Sequence, residues 1–307
     1  MPAPCIVVGS ANADLFVHCR LPLPGETICA TGGGEVLPGG KGANQAAAAA
    51  RLGCPTVFVG QTGRDGAGAM LREQLAASGV LLEHTAEVAG PTGQAVILLQ
   101  PDGENSIILV PGANAAWTTP QDHALDAVRS AGLLLLQREV PESVSLAAAR
   151  AAHAAGVPVV LDAGGDEQPI CAELLACITY LSPNETELAR LTGLPTEGEA
   201  GVLAACAALH ARGVEHLLVK LGASGSLLSS RGAEPVRQPA FRAPQVVDTT
   251  GAGDCFTAAF AVGLLEGLAP PAAMRFASAA ACLCVQARGA MPSLPRRPAV
   301  DALLAAQ

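Results

Sequence analysis

Short unbroken apolar runs recur along the chain, each closed by glycine, proline or a polar side chain. Ile6-Val7-Val8, Val57-Phe58-Val59, Leu133-Leu134-Leu135-Leu136, Val159-Val160-Leu161 and Leu217-Leu218-Val219 are the clearest. Runs of this length without alternation suit strands covered on both faces. The first predicts a strand over 4–9, followed by a helix from Lys41, a strand over 56–59 and a helix over 66–78. From about residue 120 the order is regular. Helix 120–130 precedes strand 133–136, helix 142–155 precedes strand 158–162, strand 178–181 precedes a helix from Asn184, and helix 199–212 precedes strand 216–221. A long apolar segment over 255–268 reads as a buried helix. Strands alternating with helices predict an α/β fold, a doubly wound parallel sheet flanked by helices.

Two stretches break this rhythm. Residues 15–37 carry Pro22, Pro24-Gly25 and Gly32-Gly33-Gly34 between short apolar pieces, which suits strands joined by turns. Residues 94–100 and 106–110 are apolar runs on either side of Asp102-Gly103, a hairpin signal. The two stretches are expected to meet as a small separate β-sheet. Such a sheet invites pairing, over a ligand as a lid or with a second subunit. The expected organisation is one domain, 1–307, with a lid from about 15–37 and 94–110 inserted in it.

Composition narrows the function. The chain of 307 residues is 50% hydrophobic but only 3% aromatic, so alanine-rich helices packed on a sheet are expected. Its net charge of −9, without a basic patch, argues against nucleic acid. A protein this acidic must bind phosphate locally, through backbone N–H groups, Lys41 or a metal. The ten cysteines form no Cys-x-x-Cys pair and the six histidines no His-x-x-x-His, which argues for reduced thiols and against zinc. No apolar stretch is long enough for a membrane span. The first strand begins almost at once, with no signal or transit segment before it. The expected compartment is the cytoplasm, or the plastid stroma where a transit peptide has been removed.

The most informative stretch is Asp248-Thr249-Thr250-Gly251-Ala252-Gly253-Asp254. Small residues lead into a helix start, where unpaired N–H groups and the helix dipole favour an anion. Gly251 and Gly253 permit φ > 0 and a close backbone approach. A carboxylate, Asp254, at the rim of a phosphate cradle suits a general base for an attacking hydroxyl. The plainer reading is an aspartate cap after a glycine turn.

A second glycine motif lies at Pro38-Gly39-Gly40-Lys41-Gly42-Ala43-Asn44-Gln45. It is not a Walker A loop, since Glu35 stands where the first glycine belongs and Gly42 where Ser or Thr belongs. Lys41 and Asn44 lie one turn apart on one helix face and together suit a polyhydroxylated ligand. Close helix–sheet contact explains the small residues equally well. Asn184 and Glu187 share a helix face and could supply oxygen ligands to Mg²⁺, directly or through water; they also form a capping pattern. Lys220-Leu221-Gly222-Ala223-Ser224-Gly225 ends another strand, as a backbone approach to a nucleotide or a plain β-turn. Glu139 follows the strand 133–136, as a site carboxylate or a surface-loop acid.

Together these motifs resemble the two signatures of the ribokinase-like (PfkB) carbohydrate kinases, with Gly289-Ala290-Met291-Pro292-Ser293 as a further match. Asn12-Ala13-Asp14 and Pro24-Gly25-Glu26-Thr27 resemble the ribokinase branch of that family, and 181–188, 245–254 and 283–293 its plant-type members. The resemblance implies ATP-dependent transfer of a phosphoryl group to O5 of D-ribose. It implies that Asn12, Asp14, Gly40, Lys41, Asn44 and Glu139 hold the sugar and that Asp254 is the base. Gly251, Ala252 and Gly253 would be the anion hole, and Asn184 and Glu187 would organise Mg²⁺. Lys220, Gly222, Gly225 and Ser278 would meet the nucleotide. Potassium would sit on Asp248, Thr250, Cys284, Ala287, Gly289 and Ser293, against a reading in which Asp248 caps its turn and pairs with Arg288. Pairing of the small sheet between subunits would make a homodimer through the lid. Three places depart from the family pattern: ribokinases often have Thr at Lys220 and His or Asn at Ser278, and an Asn-Pro-Ala-Pro run where this chain has Leu161-Asp162-Ala163-Gly164-Gly165. The alternatives are another sugar or nucleoside kinase of the family (fructokinase, deoxyribokinase, pseudouridine kinase) or a non-catalytic member.

Overall fold

The computed structural model of the protein describes residues 3–100, 105–117 and 119–306. Among them, thirteen strands form two sheets. The strands are β1 (Cys5–Val8), β2 (Asn12–His18), β3 (Gly32–Gly39), β4 (Thr56–Gly63), β5 (Leu81–Val88), β6 (Gly93–Leu99), β7 (Asn105–Val110), β8 (Leu133–Arg138), β9 (Val159–Gly165), β10 (Tyr180–Ser182), β11 (His216–Lys220), β12 (Ser226–Ser230) and β13 (Val236–Gln238).

The large sheet has the order β13-β12-β11-β10-β9-β8-β1-β4-β5. From β11 to β5 every neighbour pairs in parallel; β12 and β13 continue it antiparallel. Its central strands have two buried faces. Val7, Leu133 and Leu135 join one core, with helices Lys41–Arg51, Ala252–Leu265 and Pro270–Cys284. Ile6, Val8, Leu134 and Leu136 join the other, with helices Glu142–Ala154 and Gly198–Ala211. Ala43 and Ala46 to Ala49 are fully buried, and their small side chains let the first helix lie close to the sheet.

Three strands and four helices, Ala172–Leu175, Pro270–Cys284, Ala290–Ser293 and Arg297–Ala305, were not anticipated. β5 reads Leu-Leu-Glu-His-Thr-Ala-Glu-Val, because as an edge strand it buries little. β12 and β13 are short and rich in polar residues. Helix Pro270–Cys284 opens on two prolines, which resemble a breaker but are tolerated in a first turn.

The small sheet has the order β3-β2-β6-β7, so the two irregular stretches do meet. β2 pairs antiparallel with β3 and parallel with β6, and β6 with β7 is a hairpin. The expected Asp102-Gly103 turn lies outside the described residues. Phe16, Ala95 and Ile97, with Leu37 and Leu99, make a core of its own. Elsewhere it exposes Val36 by 50%, Ile107 and Ile108 by 55% each and Leu109 by 47%. Among the described residues no helix is long and apolar enough to cross a membrane. The ten cysteines are all free.

Candidate active site

The helix Ala252–Leu265 starts from Gly251, whose φ of 78° is left-handed. A side chain there would be strained and would run into the backbone of Ala290. The helix begins three residues earlier than its apolar pattern suggests, so Gly253 is an ordinary helical residue without positive φ. Its missing side chain instead leaves space: a Cβ would meet only the end of Lys220, 3.9 Å away. No side chain caps this helix. The Ala252 N–H already donates to the Thr249 carbonyl at 3.2 Å, so the donors open to an anion begin at Gly253.

Asp254 is in the first turn and 5% exposed. It accepts from Asn44 Nδ2 at 2.9 Å and Gln45 Nε2 at 3.3 Å, and Lys41 Nζ stands 3.7 Å away. Gln137 Nε2 donates to Gln45 Oε1 at 2.7 Å and fixes which end of that amide faces Asp254. Burial raises the Asp254 carboxyl, helped by the charge of Asp162 and opposed by Lys41 and the two amides. A carboxylate so placed is ready to accept a proton. Burial would lower Lys41, but Asp254, Asp162 and Glu139 outweigh it and hold the ammonium firmly charged. The glycines around Lys41 allow close packing. Gly40 has φ 87°, and a Cβ on Gly42 would come within 2.6 Å of the Ser10 nitrogen. A Cβ on Gly39 would overlap the carboxylate of Asp14.

Asn12 and Asp14 open β2 of the small sheet, so this sheet carries part of the candidate site. Burial pushes Asp14 up to about 7, with Glu139 and Asp254 adding repulsion. Glu139 lies one residue past β8 and is not a free loop acid. It accepts from Ser10 Oγ at 2.5 Å and the Lys41 N–H at 3.1 Å. Burial raises it against the pull of Lys41. Asn114, 1% exposed, sets the polarity of Asn12. Its Oδ1 takes the Ala11 N–H at 2.9 Å, and its Nδ2 donates to the Ala11 carbonyl at 3.2 Å and to Asn12 Oδ1 at 2.7 Å. The fixed polarity of the Ala11 backbone thereby turns the Asn12 Nδ2 donors away from Asn114.

Beyond Asp254 opens a cleft of about 810 Å³ lined by Lys41, Asn184, Glu187, Lys220, Gly222, Gly225, Gly251 to Asp254 and Ser278. The expected nucleotide residues therefore share one cavity. Asn184 and Glu187 form a complete capping box, with Asn184 Oδ1 taking the Glu187 N–H at 2.7 Å and Glu187 Oε2 the Asn184 N–H at 2.8 Å. Direct metal ligation by both side chains through those oxygens would compete with the box; Glu187 Oε1 has no such duty and faces Gly164 and Lys41. Among the described residues no three His, Cys, Asp or Glu side chains cluster as metal ligands.

Two of the expected departures, at Lys220 and Asp162, touch each other. Lys220 Nζ lies 2.7 Å from Asp162 Oδ2, and Lys41 Nζ lies 3.9 Å from Asp162 Oδ1. Asp162 is fully buried; burial alone would raise it, and the two lysines and the Gly164 N–H hold it below the ordinary value.

Asp248 is half-buried rather than buried, and it has partners: the Thr250 N–H at 2.9 Å and the Gly289 N–H at 2.8 Å. It therefore caps its turn. Arg288 makes its ion pair with Glu35, at 3.6 Å, while its charge still helps hold Asp248 below the ordinary value. The other expected cation ligands gather at this turn. Ser293 Oγ donates to the Ala290 carbonyl at 2.8 Å and lies 3.0 Å from Cys284 Sγ, while the Ala287 N–H reaches the Cys284 carbonyl at 3.3 Å. Ser10, Gln45, Asn114 and Asp162 were not singled out from the sequence. Only Gln45, inside the glycine motif, and Asp162, a carboxylate ending an apolar run, carried a signal there.

The pfkB family carbohydrate kinase model matches residues 3–297. A ribokinase of Arabidopsis thaliana is 53% identical over 98% of this chain and 81% of its own. A ribokinase of Bacillus subtilis is 36% identical over 97% of this chain and 98% of its own. The solved structure of Arabidopsis thaliana ribokinase complexed with ribose and ATP, 53% identical, superposes with a TM-score of 0.94 over 99% of both chains. A buried aspartate at an open helix start, a lysine-bearing glycine turn and a match of nearly full length agree, and the chain belongs to the pfkB family of carbohydrate kinases.

Proposed function

We propose that the protein is a ribokinase, which transfers the γ-phosphoryl group of ATP to O5 of D-ribose. One observation carries this reading above the others. Asp254 is buried, raised in pKa and hydrogen-bonded to Asn44 and Gln45, at the first turn of a helix whose start is uncapped. A base and an anion cradle on one turn are what attack by a hydroxyl on phosphorus requires.

In this reading Asn12, Asp14, Gly40, Lys41, Asn44 and Glu139 hold the sugar hydroxyls. Asp254 takes the proton from O5 as the new O–P bond forms. Gly251, Ala252 and Gly253 shape the anion hole, with the Gly253 N–H as its first open donor. The triphosphate lies in the cleft between Lys220, Gly222, Gly225 and Ser278. Mg²⁺ would be held through water near Asn184 and Glu187, since the capping box engages Asn184 Oδ1 and Glu187 Oε2, and it would neutralise phosphate charge. The all-oxygen donors at Asp248, Thr250, Cys284, Ala287, Gly289 and Ser293 suit potassium. The small sheet acts as a lid over the sugar and, through its exposed apolar strand, as the contact of a homodimer. The expected compartment remains the cytoplasm, or the plastid stroma.

The test is ADP release with ribose, 2-deoxyribose, fructose, adenosine and pseudouridine, each with product analysis by phosphorus NMR. Ribose should give the highest kcat/KM and a 5-phosphate. Higher kcat/KM on any other acceptor would overturn the assignment of ribose.

A further inference from the structure

Four charges alternate at one end of the cleft, Asp254, Lys41 and Lys220 lining it and Asp162 buried beneath them. Asp254 faces Lys41 at 3.7 Å, Lys41 faces Asp162 at 3.9 Å, and Asp162 faces Lys220 at 2.7 Å. The first two have roles in binding sugar and moving its proton. Asp162 has none so far, and Lys220 only a place beside the nucleotide.

Asp162 is 0% exposed, and a buried carboxylate is costly unless fully paired. It is fully paired. Oδ2 takes Lys220 Nζ and, at 3.0 Å, the hydroxyl of Thr257; Oδ1 takes the Gly164 N–H at 2.9 Å. Thr257 lies on the helix that carries Asp254, so Asp162 is tied to the element bearing the base. Lys220 is different. Its side chain remains 12% exposed, it lines the cleft, and, outside the helix itself and among the described residues, its end is the neighbour near the missing side chain of Gly253. An ammonium has three donors, and Asp162 uses one. The others are available at the mouth of the anion hole.

We propose that Lys220 is a catalytic residue that contacts the transferred phosphoryl group through Nζ, and that Asp162 is the positioning residue that holds Lys220 there. The proposal rests on the ATP-dependent kinase reading above. As the O5–P bond forms and the bond from phosphorus to the ADP oxygen breaks, negative charge spreads over the equatorial oxygens. Lys220 meets that charge and gives up no proton; the proton of O5 goes to Asp254. Asp162 keeps two lysines, which would otherwise repel, at fixed positions on either side of it.

The experiment compares the wild-type enzyme with Lys220→Met, Lys220→Arg, Asp162→Asn and the double variant Asp162→Asn/Lys220→Met. The readouts are kcat, KM for ATP, and ribose Kd by calorimetry. Loss of one preorganised donor to a developing oxyanion lowers kcat by about 10²-fold. Lys220→Met should show that loss with ribose Kd within about twofold of wild type, and Lys220→Arg should recover part of it. With Asp162 neutralised, less unpaired charge is left facing the phosphates, so the double variant should lose less than the product of the single losses. A wild-type kcat retained within twofold in Lys220→Met, ribose affinity lost in step with kcat, or losses that simply multiply would each overturn the proposal. No turnover in the wild type would overturn the kinase reading itself, and this proposal with it.

Discussion

The two sheets solve the burial problem in opposite ways. In the large sheet, Leu133 to Leu136 of β8 are at most 1% exposed, because helices cover both faces. In the small sheet, Ile107 and Ile108 of β7 are each 55% exposed, although adjacent residues of a strand point to opposite faces. The large sheet is complete as a monomer and carries Asp162, Glu139 and the helix of Asp254 at its strand ends. The small sheet carries Asn12 and Asp14, yet leaves apolar surface for something else to cover. In the proposed reading, chemistry sits on the self-sufficient part, and substrate holding is shared with the part that leaves apolar surface for a ligand or a partner.

The largest expected effect isolates the first half of this comparison. Asp254→Asn keeps the shape of the buried turn and the Gln45 and Asn44 contacts in part, but removes the base. The kcat should fall by about 10²–10⁴, while ribose still binds and still slows hydrogen exchange in β2, β6 and β7. Near-normal turnover would remove Asp254 from the mechanism.

The second prediction breaks the other half. Ile108→Glu places a charge on the exposed strand of the small sheet without touching the catalytic cluster. If that strand pairs two copies, the dimer constant should weaken by at least about 10²-fold, since each factor of ten corresponds to about 1.4 kcal/mol and burying a charge costs several. Sedimentation measures it. A wild type that sediments as a monomer at all concentrations would remove the dimer, leaving the sugar as what covers the sheet.

The same contrast decides what could be read from the sequence. Strands buried on both faces, such as β1 and β8, announce themselves as unbroken apolar runs, and the glycine turns at Gly40 and Gly251 are legible because only glycine suits their φ. Edge strands do not announce themselves: β5 mixes Glu83, His84 and Glu87 with leucine, and was missed. The site followed the same rule. Residues inside a glycine motif were legible. Asn114 and Ser10 were not, since their roles arise from contacts across 102 and 129 positions of chain. The partnership of Asp162 with Lys220 is likewise a tertiary fact, visible in sequence only as two separate oddities. The start of the catalytic helix was set three residues late, because the apolar pattern begins only after Asp254.

A third, smaller effect concerns pH. Asp14 sits at the seam, on the small sheet but facing Glu139 and Asp254, and is pushed up to about 7. Sugar hydroxyls donate to the ionised carboxylate, so binding should favour loss of its proton. Ribose affinity should therefore rise by roughly tenfold between pH 6 and 8, the change in ionised fraction for such a group. The stability effect has the opposite sign. A carboxyl raised in the fold adds stability that is fully present below its unfolded pKa, about 3.9, and is lost as pH rises through its folded value. The ribose-free protein should lose this contribution between those two values. Calorimetry and thermal melts of Asp14→Asn should show both dependences flattened; an unchanged affinity profile would separate Asp14 from the sugar.

The smallest effect lies where the two regions meet. The turn around Gly289 touches both: its N–H caps Asp248 at 2.8 Å, and a Cβ on it would come within 2.9 Å of Leu37 in β3. Gly251, which opens the anion hole, lies against Ala290 of the same turn. Asp248 uses its oxygens on two backbone N–H groups, yet a carboxylate has about four acceptor sites, so half its capacity remains for a cation. The neighbouring Cys284 carbonyl and Ser293 hydroxyl are hard oxygen donors that suit potassium better than a metal needing nitrogen or sulfur. None of these groups is among the residues proposed to hold the sugar. A cation held there would steady the first turn of the catalytic helix and so act on kcat and on use of ATP, with ribose KM little changed. Replacing NaCl by KCl at constant ionic strength should raise kcat several-fold, about 1 kcal/mol in barrier. In Asp248→Asn, with one charge fewer on the turn, the two salts should differ less. Equal kcat in both salts would show that the Asp248 cap alone holds the anion hole open, and would place the control of that turn with β3 and the small sheet.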